Sequence, residues 1–113
     1  AVAALTGPQD CVEDMRTAFH DRYRFMHGAL NDLPGVSCEP CDGAFYAFPS
    51  FEEYIDGHDE VRDDVELAEW FLERAGVATV PGTAFGAPGH LRLSYAAGMD
   101  YLEEALKRLG SAM

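Results

Sequence analysis

Arg92 stands between Leu91 and Leu93 in GHLRLSYA, residues 89–96, on a segment whose alternation reads as a strand. Leu91, Leu93 and Tyr95 then face one way and His90, Arg92 and Ser94 the other, so the arginine belongs to a polar face. A guanidinium on a rigid strand offers parallel N–H donors that match the two oxygens of a carboxylate, and the flanking leucines anchor its backbone in a core. The chemistry suited to that position is gripping an acid group. The commoner fate of an arginine on a polar strand face is a surface ion pair.

Other reactive residue types carry weaker signals. Cys38-Glu39-Pro40-Cys41 has the spacing of a redox or zinc half-site, but it enters an expected hairpin rather than a helix. No second CxxC or close histidine pair completes a metal site, so a structural role is expected and no metal ligands are assigned. His20 and His27 are two helical turns apart, too far to share an ion unaided. The acids at 52–53 and 59–66 lack the oxygen-ligand pattern of a calcium loop and read as a solvated face. Gly82, Gly86 and Gly89 precede a strand rather than a helix, which makes a phosphate cradle a weak reading. They suit a loop whose backbone closely approaches a ligand or a neighbouring domain.

These residues need a scaffold, and the periodicity supplies one. Pro8 fits a first helical turn, with Asp10, Glu13 and Asp14 near the positive helix end. Val12, Met15, Phe19, Tyr23, Met26, Leu30 and Leu33 recur at steps of three and four, giving one long helix that stops before Pro34-Gly35. At about 1.5 Å per residue it exceeds roughly 30 Å, enough to brace something outside the chain. Residues 36–39 and 44–49 are expected as strands of a hairpin joined by Pro40 through Gly43. Residues 51–66, with eight acids and one arginine, are expected as mostly solvated loop, hardly core. Asp63 with Glu66 starts a helix over 64–75 that Gly76 stops. A β-branched strand at VATVPG, a loop, the Arg92 strand and a last helix, begun by Asp100 with Glu103 and closed by Gly110, complete the order. The fold class is α+β, a two-layer sandwich of a small, mostly antiparallel sheet covered by helices, with one long N-terminal helix and the other sheet face open.

Bulk properties bound the function. The 113 residues suffice for one core, and no apolar run reaches the roughly 20 residues of a membrane span. Net charge is -12, with seven arginines and a single lysine, Lys107. That acidity opposes phosphate backbones and anionic lipid, so neither nucleic acid nor membrane is expected as a partner. It also fits the surface of a protein adapted to high salt, or simply an acidic enzyme. Three cysteines, an odd number, point to a reducing compartment, by default the cytoplasm. AVAAL at the start has neither basic flank nor cleavage pattern and looks like the cut end of a longer segment.

TGPQD, the helix ending in LNDLPGVSC, GAFYAFP, AGVATVPGTAFG and GHLRLSYA, in this order and spacing, resemble the C-terminal, small domain of fold-type I pyridoxal-phosphate aminotransferases, of the aspartate aminotransferase-like class I/II family. The resemblance spans almost the whole chain. It implies residues 1–8 as the remnant of a large-domain segment and linker, and 9–113 as the small domain. It implies a parent enzyme, a homodimer, that moves amino groups between an amino acid such as aspartate and a 2-oxo acid. Arg92 takes the substrate α-carboxylate by this resemblance and Phe45 lines the pocket, with Tyr46, Gly82 and Gly86 shaping the same region.

The family's lysine, which forms a Schiff base with pyridoxal 5'-phosphate, has no counterpart. Lys107 falls on the last helix among Glu103, Glu104 and Arg108, a solvated setting. No catalytic or cofactor-binding residue is therefore assigned, and the chain alone is expected to bind no pyridoxal phosphate and to be inactive. The alternative is a free-standing, non-catalytic module that binds small carboxylates or a protein partner.

Overall fold

The computed structural model describes residues 1–41 and 43–113. A short helix α1 (Val2–Thr6) leads into the long α2 (Asp10–Asn31). The Gln9 side-chain amide donates to Ala4 O and Gly7 O, tying the end of one helix to the start of the next. Pro8 therefore lies in the link rather than in the first turn of α2, where the acids Asp10 and Glu13 sit.

The buried residues of α2, Met26 and Leu30, lie in its C-terminal half, with Phe19, Tyr23, Phe25 and Ala29 packed partly buried against the same core. Val12 and Met15, on the same apolar stripe, are 56% and 58% exposed. The N-terminal half of the stripe therefore presents apolar side chains on the surface.

The three strands are short: β1 (Tyr46–Ala47), β2 (Val80–Pro81) and β3 (Leu91–Ser94). They form one antiparallel sheet in the order β1-β3-β2, with Tyr46 opposite Ser94 and Val80 opposite Arg92. Ala47, Leu91, Leu93 and Tyr95 are buried, facing the helices, while Arg92 and Ser94 point the other way. The α+β class, the helix-covered sheet and the two faces of the Arg92 strand are as the alternation predicts. Helices α4 (Asp64–Ala75) and α5 (Met99–Ala112) pack on each other and, with α2, close the core over Phe51, Leu67, Phe71, Leu106 and Leu109.

The expected strand at 36–39 does not form. The Asn31 amide takes its pairing groups, accepting from Cys38 N at 2.8 Å and donating to Cys38 O at 3.1 Å. The bridge from Ser37 reaches Ser50, past the second expected strand, of which only Tyr46–Ala47 forms, paired with β3 rather than with 36–39. Asp42, placed in the expected turn, lies outside the described residues. The expected solvated loop at 51–66 is likewise corrected: it contains α3 (Glu52–Asp56) and buries Phe51, Ile55, Val61 and Asp64. A five-residue helix offers too few turns to register as a period.

At α4, Asp63 caps the helix by accepting from Glu66 N at 2.8 Å, and Gly76 ends it with φ 67°. Helix α5 starts from Gly98, so Asp100 lies in its first turn rather than capping it. It also runs through Gly110, whose expected stop is overridden. The Trp70 indole N–H reaches over to Ala112 O at 3.1 Å and satisfies an end carbonyl.

Candidate functional site

Arg92 projects from β3 onto the sheet face opposite the buried Leu91 and Leu93. The guanidinium carbon lies 4.3 Å from the Tyr46 ring centre and 4.7 Å from that of Phe85. Tyr46 comes from the neighbouring strand, and Phe85 from the 3-10 turn at Gly82–Phe85 that follows β2. None of the ion pairs among the described residues involves Arg92. The guanidinium is thus held against aromatic surface without a carboxylate of the described residues on it. Contacts of this kind contribute about 0.5–2 kcal/mol each, and they leave the edge of the guanidinium for a planar acceptor.

Phe45 continues the aromatic row, its ring centre 4.6 Å from that of Tyr46. It also stacks on Phe19 of α2 at 6.1 Å and lines an open groove of about 630 Å³ with Phe19, His20, Tyr23 and Tyr95. That groove does not reach Arg92, so the two regions meet at the Phe45–Tyr46 pair. The backbone here is unusual: Ala44 has φ 61°, in the left-handed region that disfavours side chains. The Tyr95 hydroxyl donates to Ala44 O at 2.9 Å and holds the segment in place. Burial, with Cys41 beside it, pushes the Tyr95 phenol up to about 12, so it remains a donor through the neutral range.

Gly82 and Gly86 bound the 3-10 turn that carries Phe85. Gly82 is buried, and a Cβ there would run into Ala87 O and His90 O. The close approach that its glycine permits is to the loop's own backbone. Gly86 is exposed at the loop tip with φ 77° and lets the chain turn after Phe85.

Two residues that sequence reasoning passed over organise this loop. Asp64, 1% exposed, accepts from Thr83 N at 2.8 Å, Thr83 Oγ1 at 2.7 Å and Gly89 N at 3.2 Å. Burial would raise its carboxyl, but the donors from Thr83 and Gly89 outweigh that and hold it below the ordinary carboxylate value. Phe85, 52% exposed, is an aromatic among glycine, alanine and threonine, which was the one available signal. Asp64 had none, because Asp63 and Asp64 are adjacent acids at a helix start and only one of them caps it.

Cys38 has the wrong environment for a reactive thiol. It is buried and its thiol is raised chiefly by that burial, and both it and Cys41 are free. A reactive thiol requires the opposite shift. Lys107 is exposed on α5 and borders a separate groove with Arg74, Glu104 and Arg108.

A sequence profile described as aminotransferase class I and II matches residues 1–109. An aspartate/prephenate aminotransferase of Nitrosomonas europaea is 42% identical, over 100% of this chain and 30% of that protein. An aspartate aminotransferase of Bacillus subtilis is also 42% identical, over 96% of this chain and 28% of the relative. A crystal structure of the aspartate aminotransferase from Rhizobium meliloti superposes with a TM-score of 0.92 at 35% identity, covering 98% of this chain and 29% of that one. The chain spans less than a third of the length of the relatives it matches.

Proposed function

The chain belongs to the class I and II aminotransferases, and from that premise we propose that residues 9–113 are the C-terminal, small domain of an enzyme exchanging amino groups between an amino acid, aspartate among them, and a 2-oxo acid. The observation that carries this reading is Arg92: a guanidinium on the sheet face opposite the buried Leu91 and Leu93, ordered by Tyr46 and Phe85, with no acid of the described residues bound to it. Its fork of donors would take the carboxylate common to both substrates, and the rigid strand would fix the rest of the molecule relative to the reacting centre. The apolar wall beside it, from Tyr46 to Phe45, would exclude water from one side of the substrate.

The family implies pyridoxal phosphate, and the residues of this chain do not fit it. Lys107, the only lysine, is exposed on α5 and belongs to the groove with Arg74 and Arg108, not to the sheet face that holds Arg92. The cofactor and its lysine therefore belong to the larger remainder of the enzyme, against which the bare stripe of Val12 and Met15 would also pack. A homodimer is part of the same reading.

Kinetics of the complete enzyme test it. Arg92→Lys and Arg92→Ala should raise KM for amino acid and 2-oxo acid and lower kcat, reducing kcat/KM roughly a hundredfold or more. The absorbance of bound pyridoxal phosphate should be unchanged. Unaltered kinetics in both variants would remove Arg92 from the site.

A further inference from the structure

An arginine has about 2 kcal/mol of rotamer entropy to lose on being ordered, and Arg92 has no ionic partner among the described residues to order it. What orders it is two aromatic rings, and they are secured differently. Tyr46 is fixed by the ladder, opposite Ser94 on β3. Phe85 sits on a loop without a ladder of its own, half exposed, with an edge contact to Phe48 at 6.4 Å but no place in the buried core.

That loop is nonetheless tied down by hydrogen bonds. Gly82 N donates to His90 O at 2.7 Å and Ala87 N to Gly82 O at 2.9 Å, closing it at the base. Beneath it the buried Asp64 carboxylate binds Thr83 on one side of Phe85 and Gly89 on the other. A carboxylate that accepts from both limbs of a loop fixes the residue between them.

We propose that Phe85 is a positioning residue for carboxylate recognition: its ring, fixed through the Asp64 clamp, orders the Arg92 guanidinium before the ligand arrives. This rests on the reading of Arg92 as the carboxylate site. An exposed aromatic that neither fills the core nor covers a cavity has its function in what it touches, and here it touches the guanidinium. Ordering the arginine in advance removes a cost that binding would otherwise meet, so the ring sets affinity without bonding to the ligand.

A double-mutant cycle in the complete enzyme decides this. The readouts are the calorimetric dissociation constant of succinate, an unreactive dicarboxylate, and kcat/KM for the amino acid turned over fastest, which stays measurable when binding is weak. Phe85→Leu should weaken succinate about five- to tenfold and lower kcat/KM through KM. Phe85→Tyr, which keeps the ring face, should recover wild-type values to within about twofold. With Arg92 already replaced by Ala, the effect of Phe85→Leu should vanish, a coupling that a merely structural loop residue would not show. If Arg92→Ala weakens binding and Phe85→Leu does not, the positioning role is overturned while the carboxylate site stands. If Phe85→Leu is equally costly with and without Arg92, the ring acts on something else and the proposal is again overturned. If Arg92→Ala leaves both readouts unchanged, the reading beneath it fails and Phe85 has nothing to position. Asp64→Asn should act in the same direction, but it also destabilises the fold, so Phe85 is the deciding position.

Discussion

Replacing Asp64 by Ala strips a buried acceptor from three donors: Thr83 N, Thr83 Oγ1 and Gly89 N. The hydroxyl of the exposed Thr83 can turn to water, so two backbone N–H groups carry the loss. Hydrogen bonds to a charged acceptor contribute about 1.5–3 kcal/mol each, and partial access of water to the loop takes the total for this pair down to about 2–4 kcal/mol. Asp64→Asn keeps the volume and one carbonyl oxygen and should cost about half as much. Urea denaturation of the chain measures it, as a lower midpoint at unchanged slope.

The acid dependence gives the sharper test. In the unfolded chain the carboxyl titrates near 3.8, and in the fold it lies lower. Stability from Asp64 is therefore complete above the unfolded value and is lost as pH falls through the folded one. The gap between wild type and Asp64→Asn should close as pH is lowered below the unfolded value of 3.8. A difference under about 0.5 kcal/mol at neutral pH, or one of the same size at every pH, would refute the clamp.

Two further predictions follow from burial. Phe51→Ala removes a fully buried ring packed edge-on against Phe71 at 5.7 Å and should cost about 3–5 kcal/mol in the same denaturation experiment, where a loss below about 1 kcal/mol would place Phe51 outside the core. A thiol reagent should modify the exposed Cys11 rapidly and Cys38 only as the chain unfolds, because Cys38 is buried and its thiol raised; equal rates by mass spectrometry would contradict the packing of residues 36–38.

The parts of the fold legible in the sequence were those with a long period or a local chemical signal. Helix α2, helix α4 with its Asp63 cap and Gly76 stop, and the two faces of the Arg92 strand are such cases. Residues 36–39 misled because a side chain, Asn31, supplies the pairing that a neighbouring strand was expected to give. The acidic stretch misled because its buried apolar residues, Phe51, Ile55 and Val61, are spread among eight acids, one of them the buried Asp64, and follow no single period. At the candidate site, the neighbours Arg92 and Tyr46 could be anticipated from alternation and resemblance. Phe85 reaches them from a loop whose path is decided by Asp64, a contact across 19 residues that no local pattern encodes. Gly110 shows the converse: a sound local stop signal, overridden when Trp70 completes the helix end from another element.

The most direct measurement is a crystal structure of the complete enzyme with succinate bound. One carboxylate should lie in the plane of the Arg92 guanidinium, accepting two N–H bonds of about 2.7–2.9 Å, with the Tyr46 and Phe85 rings still against it. Succinate bound elsewhere, with Arg92 unchanged or paired to an acid of the protein, would contradict the central claim.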